Sequence, residues 1–327
     1  MPDPAAATQS ALPQGRRRFI VVTGMPRSGT TGVGTALGYA PGAASLYEPL
    51  NPESGLTSVH DYFVLPPRGR VEDDATLVRQ LRGVFGVSLR TRRGIWPHDP
   101  VWKRVVKQVT GSTSRTSAVR IRLDPRVRTV IWKDPFAALL VPTLATQLAI
   151  PAVVTVRSPE ASAASFKRLG WHFDLPRVVR GLREAVGPAS FLEGLEPHQG
   201  SDDAVVIGAL LWRLVYGYLD HALPADASSL VHWVGSRALL ADPAATYATL
   251  YTGLGLTTTP EARAAIARDY ADEGSGEPRA GVTHDKGRNV QQANDYWSKV
   301  LSDDDRRRVA DLTADVRAGV ERRTGAL

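Results

Sequence analysis

The residues best suited to chemistry lie near the start of the chain. Gly24-Met25-Pro26-Arg27-Ser28-Gly29-Thr30-Thr31 follows the β-branched run Phe19-Ile20-Val21-Val22-Thr23 and leads into a helical pattern over 30–37. A Gly, four residues and a second Gly, set between a strand and a helix, frame a phosphate-binding turn. The glycines let the backbone turn, the amides of Gly29 to Thr31 point at an anion, and the helix dipole adds to the attraction. Two Thr stand where a nucleoside triphosphatase carries a Lys for the β- and γ-phosphates and a hydroxyl for Mg²⁺. A cation, Arg27, lies inside the loop instead. That pattern suits one phosphate bearing a further anionic group, with no γ-phosphate and no obligatory metal.

The elements that must position this loop are legible as strand–turn–helix units. Thr129-Val130-Ile131-Trp132 reads as a strand ending at Lys133-Asp134-Pro135. Asp134 is a helix cap with Pro135 in the first turn; the helix is expected to break or kink near Pro142 and to continue to about Leu148. Ala152-Val153-Val154-Thr155-Val156 ends at Arg157-Ser158-Pro159, where Ser158 caps a helix to about Leu169. Three such units predict a parallel sheet with helices on its faces. Further helices are expected over 175–186, 203–221, 243–254 and 260–270, and a fourth strand over 230–234. The last helix opens with Ser302-Asp303-Asp304-Asp305, a hydroxyl cap with acids in the first turn, and its apolar face is Val309, Leu312, Val316 and Val320. The predicted fold class is α/β: a P-loop-like three-layer domain over 16–327 with a central parallel sheet, preceded by a disordered tail over 1–15.

Composition narrows the chemistry further. The 327 residues contain no Cys, which excludes a disulfide scaffold, a thiolate metal site and a cysteine nucleophile. The formal net charge is +7, which suggests an anionic partner. The basicity is concentrated. Positions 88–128 hold eleven Lys/Arg against Asp99 and Asp124, a local balance of +9, with Trp96 and Trp102 among them. This stretch is expected to be an insert of loops and short helices: either a solvated face or a surface for an acidic or glycan-bearing acceptor. The most apolar stretch, 204–219, is interrupted by Arg213 and too short for a bilayer, so it is read as a buried helix with Trp212 in the core. No export signal is visible, and the expected location is cytoplasmic.

Pro26-Arg27-Ser28-Gly29-Thr30-Thr31 after a strand resembles the 5′-phosphosulfate loop of sulfotransferases that use 3′-phosphoadenosine 5′-phosphosulfate (PAPS), in the bacterial and carbohydrate-type branch that carries Arg-Ser there. The resemblance implies a second feature, a strand ending in Arg with Ser eight positions later, both on the 3′-phosphate. Arg157 and Ser165 have that spacing. They can border one anion only if the ligand lies across the carboxyl edge of the sheet. Weaker likenesses are Trp132-Lys133-Asp134-Pro135, the Asp242-Pro243 helix start, and Lys286-Gly287-Arg288-Asn289 before Trp297, which resembles a basic loop closing over the nucleotide.

The resemblance implies an enzyme that transfers the sulfuryl group of PAPS to a hydroxyl acceptor, a carbohydrate or glycoconjugate, without a metal. Ser28, Gly29, Thr30 and Thr31, with Arg27, would hold the 5′-phosphosulfate. Arg157 and Ser165, with Arg288, would hold the 3′-phosphate. Transfer to an alcohol needs a base within hydrogen-bond reach. Glu48, in Leu46-Tyr47-Glu48-Pro49, is the preferred base, with His60 and His98 as rivals; Arg27 and Lys133 would offset charge on the leaving phosphate. The plain alternatives are a surface Glu48, a Lys133 reaching solvent from the sheet end, and ordinary loop charges at Lys286 and Arg288; Asn51, Ser54 and Asp61 are merely near the cleft. Two other function classes stay open: a P-loop kinase or NTPase, and a non-catalytic polyanion- or RNA-binding protein using 88–128. As partners, an acidic glycan or glycolipid fits, nucleic acid is not expected, no membrane span is expected, and peripheral membrane contact is left open.

Overall fold

Five short runs form five parallel strands, all but the second containing β-branched residues: β1 (Arg18–Thr23), β2 (Ala43–Tyr47), β3 (Thr129–Lys133), β4 (Ala152–Val156) and β5 (Val231–Gly235). Their order across the sheet is β2-β3-β1-β4-β5. The computed structural model describes residues 17–95, 99–224, 229–271 and 295–325, with Lys103 by its backbone alone. The tail over 1–15, Trp96, His98 and the loop with Lys286 and Arg288 lie outside the described residues.

Strand alternation makes the layers. Ile20, Val22, Ile131 and Val153 point to one side and pack with Val33 and Leu37 of helix α1 (Thr30–Leu37). Val21, Trp132, Val154 and Val156 point to the other and meet a larger core. Successive side chains on a strand face opposite ways, so apolar residues at every position demand cover on both faces. The remaining helices are α2 (Ala75–Phe85), α3 (Val101–Thr110), α4 (Thr113–Leu123), α5 (Val141–Leu148), α6 (Pro159–Leu169), α7 (Leu175–Val186), α8 (Ala204–Ala222), α9 (Ser236–Ala241), α10 (Pro243–Gly253), α11 (Pro260–Asp269), α12 (Trp297–Val300) and α13 (Asp303–Thr324); all but α3 and α12, which bury no described side chain, add buried residues to the core. The α/β fold class with a central parallel sheet is therefore as expected.

Helix α8 is buried from Val205 to Leu219, Trp212 included. Its one internal charge, Arg213, is tolerated because its guanidinium donates to the carbonyls of Phe191 (3.0 Å) and Glu193 (2.8 Å) and pairs with Asp315 (2.9 Å). The helix starts follow their caps. Asp134 accepts from the Phe136 amide, Ser158 from Ala161, and Ser302 and Asp305 form a reciprocal capping box. Of the break or kink expected near Pro142, the break is what forms. Residues Pro135–Leu140 form a 3₁₀ turn, and α5 begins at Val141 with Pro142 in its first turn, where a missing N–H costs nothing. The basic stretch 88–128 contains two helices, α3 and α4. No helix among the described residues is long and apolar enough to cross a membrane.

Register levels the carboxyl ends of the strands: Tyr47 lies beside Lys133, and Lys133 beside Val22. The chain leaves β1 for one edge of the sheet and β4 for the other. That divergence between β1 and β4 is the switch point at which open α/β sheets bind ligands.

Candidate active site

The loop after β1 is held in a shape few residues could adopt. Gly24 has φ +149°, and a Cβ there would lie 2.3 Å from the Thr155 carbonyl oxygen. Arg27 (φ 75°) and Gly29 (φ 99°) both occupy the left-handed half of the map, a conformation that a non-glycine residue keeps only when its surroundings impose it. Here they do. The buried Tyr216 hydroxyl of α8 accepts from the Met25 amide (3.1 Å) and donates to the Thr155 carbonyl (2.8 Å). Burial pushes this phenol above its ordinary pKa, so it stays a donor. Ser28 turns inward: its amide donates to Met25 O (3.1 Å), and its hydroxyl lies 2.7 Å from that of Thr155, which donates to Thr23 O. No side chain caps α1, and a Cβ on Gly29 would meet nothing within 4 Å. The first-turn amides of Gly29, Thr30 and Thr31 have no preceding turn to donate to and face an open side.

Arg27 and Ser165 meet. Arg27 Nε donates to Ser165 Oγ at 3.2 Å, across 138 residues of sequence. Ser165 sits on the buried side of α6, two turns from its start. Arg157, the first residue past β4, is half-buried, and its carbonyl accepts from Trp212 Nε1 (2.9 Å). The indole of a core tryptophan thus fixes the backbone that carries Arg157.

A carboxylate–ammonium pair lies at the carboxyl ends of β2 and β3. Lys133 is only 3% exposed, and its Nζ sits 2.5 Å from Glu48 Oε1. The reading of Lys133 as a sheet-end residue reaching solvent is therefore corrected: its stem runs over Gly34 of α1, where a Cβ would come within 2.9 Å of Lys133 Cγ. Lys133 Nζ also stands 5.8 Å from the Tyr47 ring centroid, a cation–π approach. Glu48 has φ 43° and is pinned on every side. Its amide donates to Lys133 O (2.8 Å), its carbonyl accepts from Ser114 Oγ (3.1 Å), and its Oε2 accepts from Asn51 Nδ2 (2.9 Å). Asp134, fully buried, accepts from the Leu50 amide at 2.6 Å and so fastens the turn after Glu48. Burial first, then the Glu48 charge, push the Asp134 pKa up to about 7, against hydrogen bonds from Leu50, Phe136 and Trp132 that favour the carboxylate.

Of the expected site residues, Arg27 and Ser165 form one contact and Lys133 and Glu48 another; Gly29, Thr30 and Thr31 start α1 between them. His60 is exposed and stands 3.4 Å from an Arg92 nitrogen. His98 and Arg288 lie outside the described residues. Asn51 does more than lie near the cleft, since it orients Glu48. Tyr216, Thr155 and Ser114 escaped sequence reasoning altogether. Asn51 carried a local signal, three residues past Glu48 in a Pro-containing turn; Tyr216, 191 residues from Met25, carried none. Among the described residues no group of three His, Asp or Glu side chains could hold a metal ion.

Fold and site together define a three-layer α/β protein with an uncapped Gly-rich strand–loop–helix at the switch point of a parallel sheet, beside the pair of the buried Lys133 with the partly exposed Glu48. No protein-family model and no curated protein matches the chain. Among solved structures, a sulfotransferase from Mycobacterium tuberculosis H37Rv aligns over 90% of this chain and 81% of its own, at 19% identity and a TM-score of 0.39. A mouse sulfotransferase complexed with PAP aligns over 96% and 89%, at 12% identity and a TM-score of 0.44. The sulfotransferase domain of an olefin synthase from Synechococcus PCC 7002 aligns over 92% and 97%, at 15% identity and a TM-score of 0.42. At such identities the residues themselves must carry an assignment of activity.

Proposed function

We propose that this chain is a PAPS-dependent sulfotransferase acting on a hydroxyl acceptor of the carbohydrate or glycoconjugate class. The observation that carries the reading is the Arg27–Ser165 contact, which joins a lysine-free phosphate loop to the helix behind Arg157. It supports a ligand with anionic groups at two points along the sheet edge, as a 3′-phosphorylated nucleotide has.

The residues fit such a ligand. The amides of Gly29 to Thr31 and the Thr30 and Thr31 hydroxyls hold the 5′-phosphosulfate, with Arg27 beside it. Ser28, whose own donors are engaged within the loop, keeps the loop in shape. Arg157 and Ser165, with Arg288, hold the 3′-phosphate and so separate PAPS from ATP. PAPS supplies the sulfuryl group, and its 5′-phosphate leaves with the electrons of the broken S–O bond. Glu48 takes the proton of the acceptor hydroxyl as that oxygen attacks. Lys133, held against Glu48, balances charge on the leaving phosphate, together with Arg27. Strain at Arg27 and Glu48, both at positive φ, is the mark of side chains fixed in place before the ligand arrives.

Ligand-dependent thermal stabilisation tests this directly. 3′,5′-Adenosine diphosphate, at about 100 times its dissociation constant, should stabilise the fold by ~2.7 kcal/mol. 5′-AMP and MgATP at equal concentration should do much less. Stabilisation by MgATP with none by the 3′-phosphorylated nucleotide would replace this reading with a P-loop kinase.

A further inference from the structure

Helix α3 is built inside out. A helix packed on a protein turns its apolar stripe inward. In α3 the apolar residues Val101, Trp102, Val105, Val106 and Val109 are 48–81% exposed. At 100° per residue they cover one continuous arc of roughly 140°. The opposite side holds to the protein through Lys107, whose Nζ donates to the Gly94 carbonyl and to the buried Asp99 carboxylate, both at 2.6 Å, while Arg104, Gln108 and Thr110 beside it are exposed. Six large hydrophobic side chains are exposed among the described residues, and five of them are these. The sixth, Leu123, ends α4, so every large hydrophobic side chain exposed among the described residues lies in the 88–128 stretch.

That stretch is also the most basic in the chain. Its two acids are engaged, Asp99 with Lys107 and Asp124 with Arg126. Arg104 on α3 and Arg115, Arg120 and Arg122 on α4 are exposed. A second copy of this chain would set one strongly positive face against another. The complement of an apolar stripe carried on a strongly basic stretch is a surface that is anionic at its edge and hydrocarbon beneath. We propose that α3 docks this protein on an anionic lipid bilayer, its Val/Trp stripe entering the headgroup–acyl boundary and the exposed Arg side chains of α3 and α4 meeting lipid phosphates. Trp102 suits that boundary, being apolar in body and polar at one edge. The docking helix is coupled to the site: just beyond Gly111, Ser112 Oγ donates to Ser54 O (2.6 Å) and Ser114 Oγ to the carbonyl of Glu48 (3.1 Å). The Glu48 turn therefore lies one short linkage from the membrane-facing helix.

The test is co-sedimentation of the full chain, without nucleotide, with vesicles of phosphatidylcholine and phosphatidylglycerol, beside vesicles of phosphatidylcholine alone. Binding is expected to the anionic vesicles, to weaken as salt is raised, and to fall at least about tenfold in Val105→Glu/Val109→Glu, since burial of two valines is lost. Trp102→Ser serves as a second variant, and an unchanged melting midpoint in either shows that it folds. Absence of wild-type binding to anionic vesicles, or equal binding by the folded variants, would overturn the proposal. So would a concentration-dependent dimer in sedimentation velocity that the same variants abolish, which gives the face to a second copy. Because no nucleotide is present, failure here and failure of the sulfotransferase reading are read separately.

Discussion

The Tyr216 hydroxyl offers the sharpest way to ask whether the core shapes the loop. Tyr216→Phe keeps the ring, its volume and its packing against Trp212, 5.2 Å between centroids. It removes one oxygen that serves two backbone groups, the Met25 amide and the Thr155 carbonyl. Met25 is completely buried, so its amide loses a partner where water does not reach. An unsatisfied buried donor costs roughly 1–3 kcal/mol, and the lost bond to the carbonyl adds about 1, a total of roughly 2–4 kcal/mol. Unfolding entropy near 2.1 cal/mol/K per residue makes 1 kcal/mol worth about 1.5 °C for a chain of this length, so the midpoint should fall by about 3–6 °C. The loop should loosen as well, since Met25 begins the turn that carries Arg27. Calorimetric titration with 3′,5′-adenosine diphosphate should then show a dissociation constant raised about fivefold or more, near 1 kcal/mol of re-ordering. A variant that melts within a degree of wild type and binds the nucleotide equally well would refute the idea that α8 sets the loop's conformation.

Three further outcomes follow from the same geometry. Glu48→Gln should lower turnover by about 10²–10⁴ while leaving nucleotide affinity nearly intact, because proton removal and the charge paired with Lys133 are lost but the loop after β1 is untouched; unchanged turnover in a sulfuryl-transfer assay removes it as the base. Arg157→Ala should weaken 3′,5′-adenosine diphosphate by roughly 1.5–3 kcal/mol, the worth of a charge-assisted bond, and 5′-AMP hardly at all; equal losses for the two ligands would detach Arg157 from the 3′-phosphate. Asp134, raised from 3.8 to about 7, binds its proton more tightly in the folded state than in the unfolded. Its contribution is therefore fully present below about pH 4 and is lost as the pH rises towards 7, by up to roughly 4 kcal/mol. Chemical denaturation from pH 4 to 8 should show Asp134→Asn lacking that slope, and parallel wild-type and variant profiles would contradict the assignment.

Most of the fold was legible because its signals are local. The capping residues Ser158, Ser302 and Asp134, each next to Pro or acids, mark helix starts whatever the rest of the chain does. Short β-branched runs ending at a turn likewise announce parallel strands. Helix α2 went unread although Asp74 caps it and Leu77, Val78, Leu81 and Val84 form its buried face; its start lies in a polar loop with no strand before it. The split at Pro142 shows the limit of the same reasoning, for one proline fits either a kinked helix or the first turn of a new one.

Chemistry follows the same division. Residue types and spacing by themselves established a phosphate-type loop without its lysine, an Arg and a Ser eight apart after a later strand, and a dense basic stretch. Spacing along the chain constrains what lies within one strand–turn–helix unit, and the first two of these patterns each fit inside one. Contacts between units depend on strand order, which no local pattern encodes. Only the order β2-β3-β1-β4-β5 brings Arg27 to Ser165 and Lys133 to Glu48. Only the packing of α8 across the sheet sets the Tyr216 hydroxyl between Met25 and Thr155. The orientation of α3 was likewise decided in three dimensions: the ion pair of Lys107 with the buried Asp99 carboxylate holds the side opposite the Val/Trp stripe to the protein.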